Sequence, residues 1–114
     1  MADLPSSLRA AIEKFDAAWH SGKVPNLARS LPKILSSHSA LADAETRREF
    51  VSQLIAIDLE YRWRKANDGS AKGIEAWSLD DYVARIPGLS SANFLTVDLI
   101  AEEYRVRSAW GDHP

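Results

Sequence analysis

The chain has 114 residues, no cysteine, and a formal charge of −2 from 14 basic and 16 acidic side chains. That length suits one domain, and without cysteine there are no disulfides, no thiolate catalysis and no cysteine-held metal or iron–sulfur cluster. Apolar residues make up 46% and charged residues 26%, the balance of a folded globular domain, and the slight acidity argues against a nucleic-acid binder.

The first segments read as short capped helices. Ser6 or Ser7 serves as an N-cap, and Leu8, Ile12, Phe15 and Trp19 follow at helical spacing. Gly22 fits the left-handed position just past a helix end, and Pro25 blocks continuation, so the first helix is placed at about residues 7–21. Asn26 then caps a short helix from Leu27 to Leu31, with Pro32 kinking it or starting a new turn, and Ser36 to Ser39 reads as a loop.

The longest element is expected from about Asp43 to Lys65. Phe50, Leu54, Ile57 and Tyr61 form one apolar stripe, and Val51, Ile55, Leu59 and Trp63 form a second. A helix apolar over so wide an arc is covered on two sides, which makes it the central helix. Asp58 interrupts the arc, and Arg62 one turn on allows either a partly buried ion pair or, as the favoured reading, a half-exposed pair of little net energy.

Asn67 to Ser70 ends that helix. Ser78 with Asp81 resembles a capping box for a short helix from Leu79 to Ile86, which stops before Pro87. Ser90 or Ser91 caps the last helix, with Phe94, Val97, Ile100 and Tyr104 on its packing face and Gly111 as its stop. No strand alternation or hairpin dipeptide is present. The prediction is therefore an all-α fold: a small bundle of about five helices, three long and two short, with no sheet, forming one domain over residues 1–114.

Two internal echoes stand out. Glu60-Tyr61-Arg62-x-Arg64 and Glu103-Tyr104-Arg105-x-Arg107 align at an offset of 43 residues. Ala18-Trp19 with Gly22 and Pro25 is echoed by Ala109-Trp110 with Gly111 and Pro114. A second unit cut at its proline predicts that this is an N-terminal piece of a longer protein.

Little points to chemistry. His20, His38 and His113 have no zinc-motif spacing, the adjacent acids Asp80-Asp81 and Glu102-Glu103 point about 100° apart on a helix, and there is no Gly-x-Ser-x-Gly elbow. No catalytic residue, cofactor or metal is expected. Arg47-Arg48 and Arg62-Trp63-Arg64-Lys65 are basic clusters, but Asp58 and Glu60 offset them, so no nucleic acid is expected. The N-terminus has neither a basic n-region nor an apolar h-region, and no apolar run reaches the roughly 20 residues of a membrane helix. A cytoplasmic location with no membrane contact is the expectation. Trp, Tyr and Arg are the side chains that dominate interaction hot spots. The candidate partner-binding residues are therefore Arg62, Trp63, Arg64, Trp77, Arg105, Arg107 and Trp110, with a protein as partner. A small-ligand pocket lined by Tyr61 and Tyr104, between the two long Glu-Tyr-Arg helices, is the alternative, and a stand-alone adaptor is a third option.

The ordered phrases Phe15-Asp16-Ala17-Ala18-Trp19, Gly22-x-x-Pro25, Glu60-Tyr61-Arg62-x-Arg64 and Asp81-Tyr82-Val83-Ala84-Arg85-Ile86-Pro87 carry a family resemblance. Together they resemble the helical region ahead of the kinase domain in planctomycete-type bacterial serine/threonine protein kinases. That family has Phe-x-x-Ala-Trp-x-x-Gly-x-x-Pro, a Leu/Glu/Arg-rich helix and a Tyr-x-x-Arg-Phe-Pro phrase. Ile86 stands where the family has Phe, and the stretch from Gly69 to Asp81 is longer than the family's usual link. The resemblance spans most of residues 8–114. It implies a non-catalytic accessory domain that regulates a kinase or recruits its partners. The Gly-rich loop, strand lysine, His-Arg-Asp and Asp-Phe-Gly phrases of a kinase are absent here, so any ATP chemistry is expected beyond Pro114.

Overall fold

A computed structural model describes residues 4–23, 25–68, 74–86 and 96–110. Among them are five α-helices and a 3₁₀ turn, and no strand. They are α1 (Ser6–His20), α2 (Leu27–Ser37), the 3₁₀ turn (Ser39–Ala42), α3 (Ala44–Asp68), α4 (Leu79–Arg85) and α5 (Val97–Trp110). The all-α expectation holds.

The ends of α1 show how local chemistry sets boundaries. Neither serine caps the helix: Pro5 precedes it, and the Pro5 carbonyl accepts the backbone N–H groups of Leu8 and Arg9, both at 3.0 Å. Pro5 itself is extended, with φ −55° and ψ 152°, and the helix begins at Ser6 with no side-chain cap. At the other end Gly22 has φ +92°. Its N–H donates to the Trp19 carbonyl and the Lys23 N–H to that of Ala18, the Schellman pattern that sequence predicts. Leu8, Phe15 and Trp19 are buried.

Asn26 caps α2 as expected, its side-chain oxygen accepting the Arg29 N–H at 3.1 Å. The helix does not stop at Pro32, however, and runs through Ser36 and Ser37, where a loop is expected. Interior proline costs about 3 kcal/mol. Leu27 and Leu31 are both buried to 1% exposure, and full burial contributes about 1.5–3 kcal/mol for each such side chain. With Ile34 and Leu35 partly buried as well, packing outweighs the lost backbone bond.

α3 is the central helix, packed by α1, α5 and the 3₁₀ turn. Phe50, Val51, Leu54, Ile55, Leu59 and Tyr61 are buried, and Ile57 and Trp63 are half-buried. Asp43 caps it: one carboxylate oxygen accepts the Thr46 N–H at 2.9 Å and the Thr46 hydroxyl at 2.8 Å. The Thr46 backbone bond, then the hydroxyl, holds this carboxyl below the usual aspartate range. A carboxyl whose folded pKa is depressed stabilises the fold above its unfolded pKa, and that stabilisation is lost as pH falls through the folded value. Asp43→Asn keeps an acceptor but not the charge. In thermal melts taken from about pH 5 down to about pH 2, wild type should lose its advantage over Asp43→Asn. An advantage constant across that range would contradict the capping role.

The capping box of α4 is present as read, with the Asp81 N–H donating to the Ser78 hydroxyl and the Ser78 N–H to the Asp81 carboxylate. A third free donor at this end, the Leu79 N–H, is taken by the Glu103 carboxylate of α5 at 2.7 Å. A carboxylate at a helix N-terminus also meets the positive end of the helix dipole.

α5 overturns the expected packing face. Phe94, Ser90 and Ser91 lie outside the described residues. Within them, Thr96 caps the helix through its hydroxyl, which accepts the Leu99 N–H at 3.1 Å. Leu99 and Val106 are buried, while Val97, Ile100 and Tyr104 are 82%, 50% and 63% exposed. The two stripes lie on opposite sides of the helix at 100° per residue. The Leu99–Val106 side packs because its polar neighbours find partners there. Glu103 reaches the start of α4, the Thr96 hydroxyl meets Ser52 at 2.9 Å, and Arg105 pairs with Glu60 at 2.7 Å.

Candidate interaction surface

The aromatic and basic residues sort into an inner group and an outer one. The inner group is built on Asp58, which is fully buried midway along α3. One oxygen accepts the Trp19 indole N–H of α1 at 3.2 Å. The other accepts Arg62 Nε at 2.6 Å and the Tyr82 hydroxyl of α4 at 2.7 Å. Burial raises the Asp58 pKa, opposed first by the Arg62 charge and then by these hydrogen bonds. Burial also raises Tyr82 well above the tyrosine range, with the Asp58 charge adding to it. Among the described residues no buried side-chain polar atom lacks a partner. The carboxylate is committed to tying three helices together.

Arg62, expected at a partner surface, belongs to this buried group, and the half-exposed pair expected with Asp58 is a buried one. Two neighbouring rings explain why its planar cation tolerates the site. Its guanidinium lies 3.9 Å from the Trp77 ring centroid and 5.6 Å from that of Trp19, and cation–π attraction strengthens where water is excluded. Trp77 meets Tyr82 edge-on at 5.0 Å and has Arg85 at 4.9 Å from its ring. Trp63 is half-buried, donating its indole N–H to the Trp77 carbonyl at 2.8 Å. Trp63 and Trp77 thus close the end of the bundle.

The outer group is a charged seam between α3 and α5. Glu60 pairs with Arg64 at 3.5 Å and with Arg105 at 2.7 Å, and Arg105 also pairs with Glu102. The two carboxylates, Glu102 first, raise the Arg105 pKa further. Arg64 lies 5.2 Å from the Tyr61 ring, and Arg107 lies 5.9 Å from that of Trp63. The Trp110 side chain lies outside the described residues. Arg64 and Arg105 therefore meet at Glu60 and Arg107 stands at Trp63, while Arg62 is separated from them by burial.

Tyr61 and Tyr104 stand in different surroundings, the first buried and the second exposed. Tyr61 is stacked on Trp19 with centroids 5.6 Å apart and planes 2° apart. The depression beside Tyr104 is lined by Ile100, Glu103 and Arg107. Another cleft between α3 and the start of α5, of about 290 Å³, includes Glu49, Ser52, Gln53, Thr96, Asp98 and Glu102 in its lining. Among the described residues no three His, Cys, Asp or Glu side chains converge as a metal site, and no helix is long and apolar enough to cross a membrane.

Sequence reasoning missed the outward stripe of Val97 and Ile100 and the part played by Tyr82. The apolar spacing of the stripe was visible, but its direction depends on polar partners far along the chain. No protein-family model matches the chain, and no curated protein or solved structure matches it significantly.

Proposed function

We propose that this chain is a non-catalytic accessory domain of a bacterial serine/threonine protein kinase that contacts a protein partner in signalling. The observation that carries the contact is the outer face of α5, where Val97, Ile100 and Tyr104 stand exposed together. Three large apolar side chains aligned on one side of a helix form a patch of the sort that marks an interaction surface. Arg105 and Arg107 flank it, and their charge favours encounter with an acidic partner more than it adds affinity. The kinase context rests on the ordered motifs. Trp19, Gly22 and Tyr82 within them serve here as core ring, helix stop and buried hydroxyl. The domain acts in the cytoplasm, without a cofactor of its own.

The reading frame beyond Pro114 tests the context. An in-frame catalytic region with a Gly-rich loop and a His-Arg-Asp phrase is expected, and a stop codon would remove the kinase reading. Titration of that catalytic region into the 114-residue chain then tests the surface. Binding should be lost in Ile100→Glu, and a catalytic region that does not bind would count against contact in cis.

A further inference from the structure

The offset of 43 residues does more than match two charged phrases. It places Leu54, Ile57 and Tyr61 of α3 on Val97, Ile100 and Tyr104 of α5. The same three positions thus make up a stripe in both helices. On α3 that side is turned toward the core: Leu54 is fully buried, Ile57 is half-buried, and Tyr61 is 8% exposed under Trp19 of α1. On α5 the matching stripe faces outward, uncovered by any described element.

We infer that the α5 stripe is a second seat for a helix of the α1 kind, supplied by another protein chain, an inference that rests on the accessory-domain reading. The contact between α1 and α3 defines what such a helix must carry. It offers Trp19, stacked on Tyr61, and Phe15 four residues before it on the same face, both buried. The occupant is therefore an amphipathic helix with two large apolar side chains one turn apart, the second placed to stack on Tyr104 as Trp19 stacks on Tyr61. One position differs in a way that sets specificity. Ala101 stands where α3 has Asp58, the acceptor of the Trp19 indole. An indole N–H buried over Ala101 would lose water and gain no acceptor from that position, so the second ring is better a phenylalanine than a tryptophan. A second copy of this chain cannot supply the helix intact, because Leu8, Phe15 and Trp19 are all buried in its own core.

The probe is a peptide of residues 4–23 carrying Trp19→Phe, titrated into the isotope-labelled 114-residue chain and followed by backbone-amide NMR. Saturable shifts centred on residues 97–107 are expected, with binding at least tenfold weaker in Ile100→Glu and Tyr104→Ala and unchanged in Val83→Ser on α4. The same peptide with the parent Trp19 should bind more weakly. Absence of saturable binding, shifts centred on α3 instead, or affinity unaffected by both α5 variants would overturn the inference. So would a concentration-dependent dimer, seen by sedimentation, that Ile100→Glu dissociates. If the peptide fails while the in-frame catalytic region still binds through Ile100, this inference falls and the accessory-domain reading stands.

Discussion

Asp58→Ala should cost about 3–5 kcal/mol, the range for removing one partner of a buried ion pair. Small domains have only about 5–15 kcal/mol in total, so the variant will unfold at low urea or lack a cooperative transition. The size follows from what the substitution strands. Arg62 is left as a buried cation without its carboxylate, and the Trp19 N–H and Tyr82 hydroxyl lose their acceptor together. Charge and geometry separate in Asp58→Asn, which keeps one carbonyl oxygen and should fall between wild type and Asp58→Ala. The triple change Asp58→Leu, Arg62→Leu and Tyr82→Phe removes the buried charges and the tyrosine hydroxyl together, leaving only the Trp19 N–H without its acceptor. It should recover most of the loss, because an apolar replacement of a buried pair is often neutral or stabilising. Urea denaturation followed by circular dichroism reads all three. An Asp58→Ala variant within about 1 kcal/mol of wild type would mean that water reaches the site.

Trp19→Ala should rank next, at about 3–5 kcal/mol for deleting a large core aromatic. Trp19 is fully buried, stacks on Tyr61 and donates to Asp58. Its cost therefore has a packing part and a hydrogen-bond part. Trp19→Phe retains much of the packing and loses the indole N–H, leaving a cost of about 1–3 kcal/mol for the unsatisfied acceptor and the smaller ring. Because both residues share Asp58, the losses in Trp19→Phe and Tyr82→Phe should not add in the double variant. Additivity within about 0.3 kcal/mol would show that the two donors act on the carboxylate independently.

The parts of the fold that could be read from the chain are those decided within a few residues. Gly22 ends α1, Asn26 caps α2, and Ser78 with Asp81 caps α4, each through bonds that span three to five positions. The parts that could not be read are settled by groups far apart in sequence. At Asp58 the sequence favours a half-exposed pair over a partly buried one, since nothing near it announces that Trp19 and Tyr82, 39 and 24 residues away, donate to it. Pro32 reads as a break until the burial of Leu27 and Leu31 is known. On α5 the face with more apolar residues is the outward one, because Glu103, Thr96 and Arg105 have polar partners only when the helix is turned the other way. For the candidate surface, sequence singled out Arg105 and Arg107 beside it. It misassigned Arg62, and it placed Val97, Ile100 and Tyr104 on the inner face of α5. The hydrophobic count was a poor guide there, and the repeat was a better one.

The repeat also supplies the most direct test of the account, which holds that one tyrosine stripe is covered and its copy is not. Tyr61 and Tyr104 occupy the same position in the two phrases, so the same substitution at each should behave differently. Tyr61→Ala removes a buried ring stacked on Trp19 and should lower the unfolding free energy by about 2–4 kcal/mol. Tyr104→Ala should stay within about 0.5 kcal/mol of wild type, as a surface change does. Urea unfolding of the two variants side by side gives the answer. Equal losses at both positions would place the α5 stripe inside the core and contradict the proposed surface.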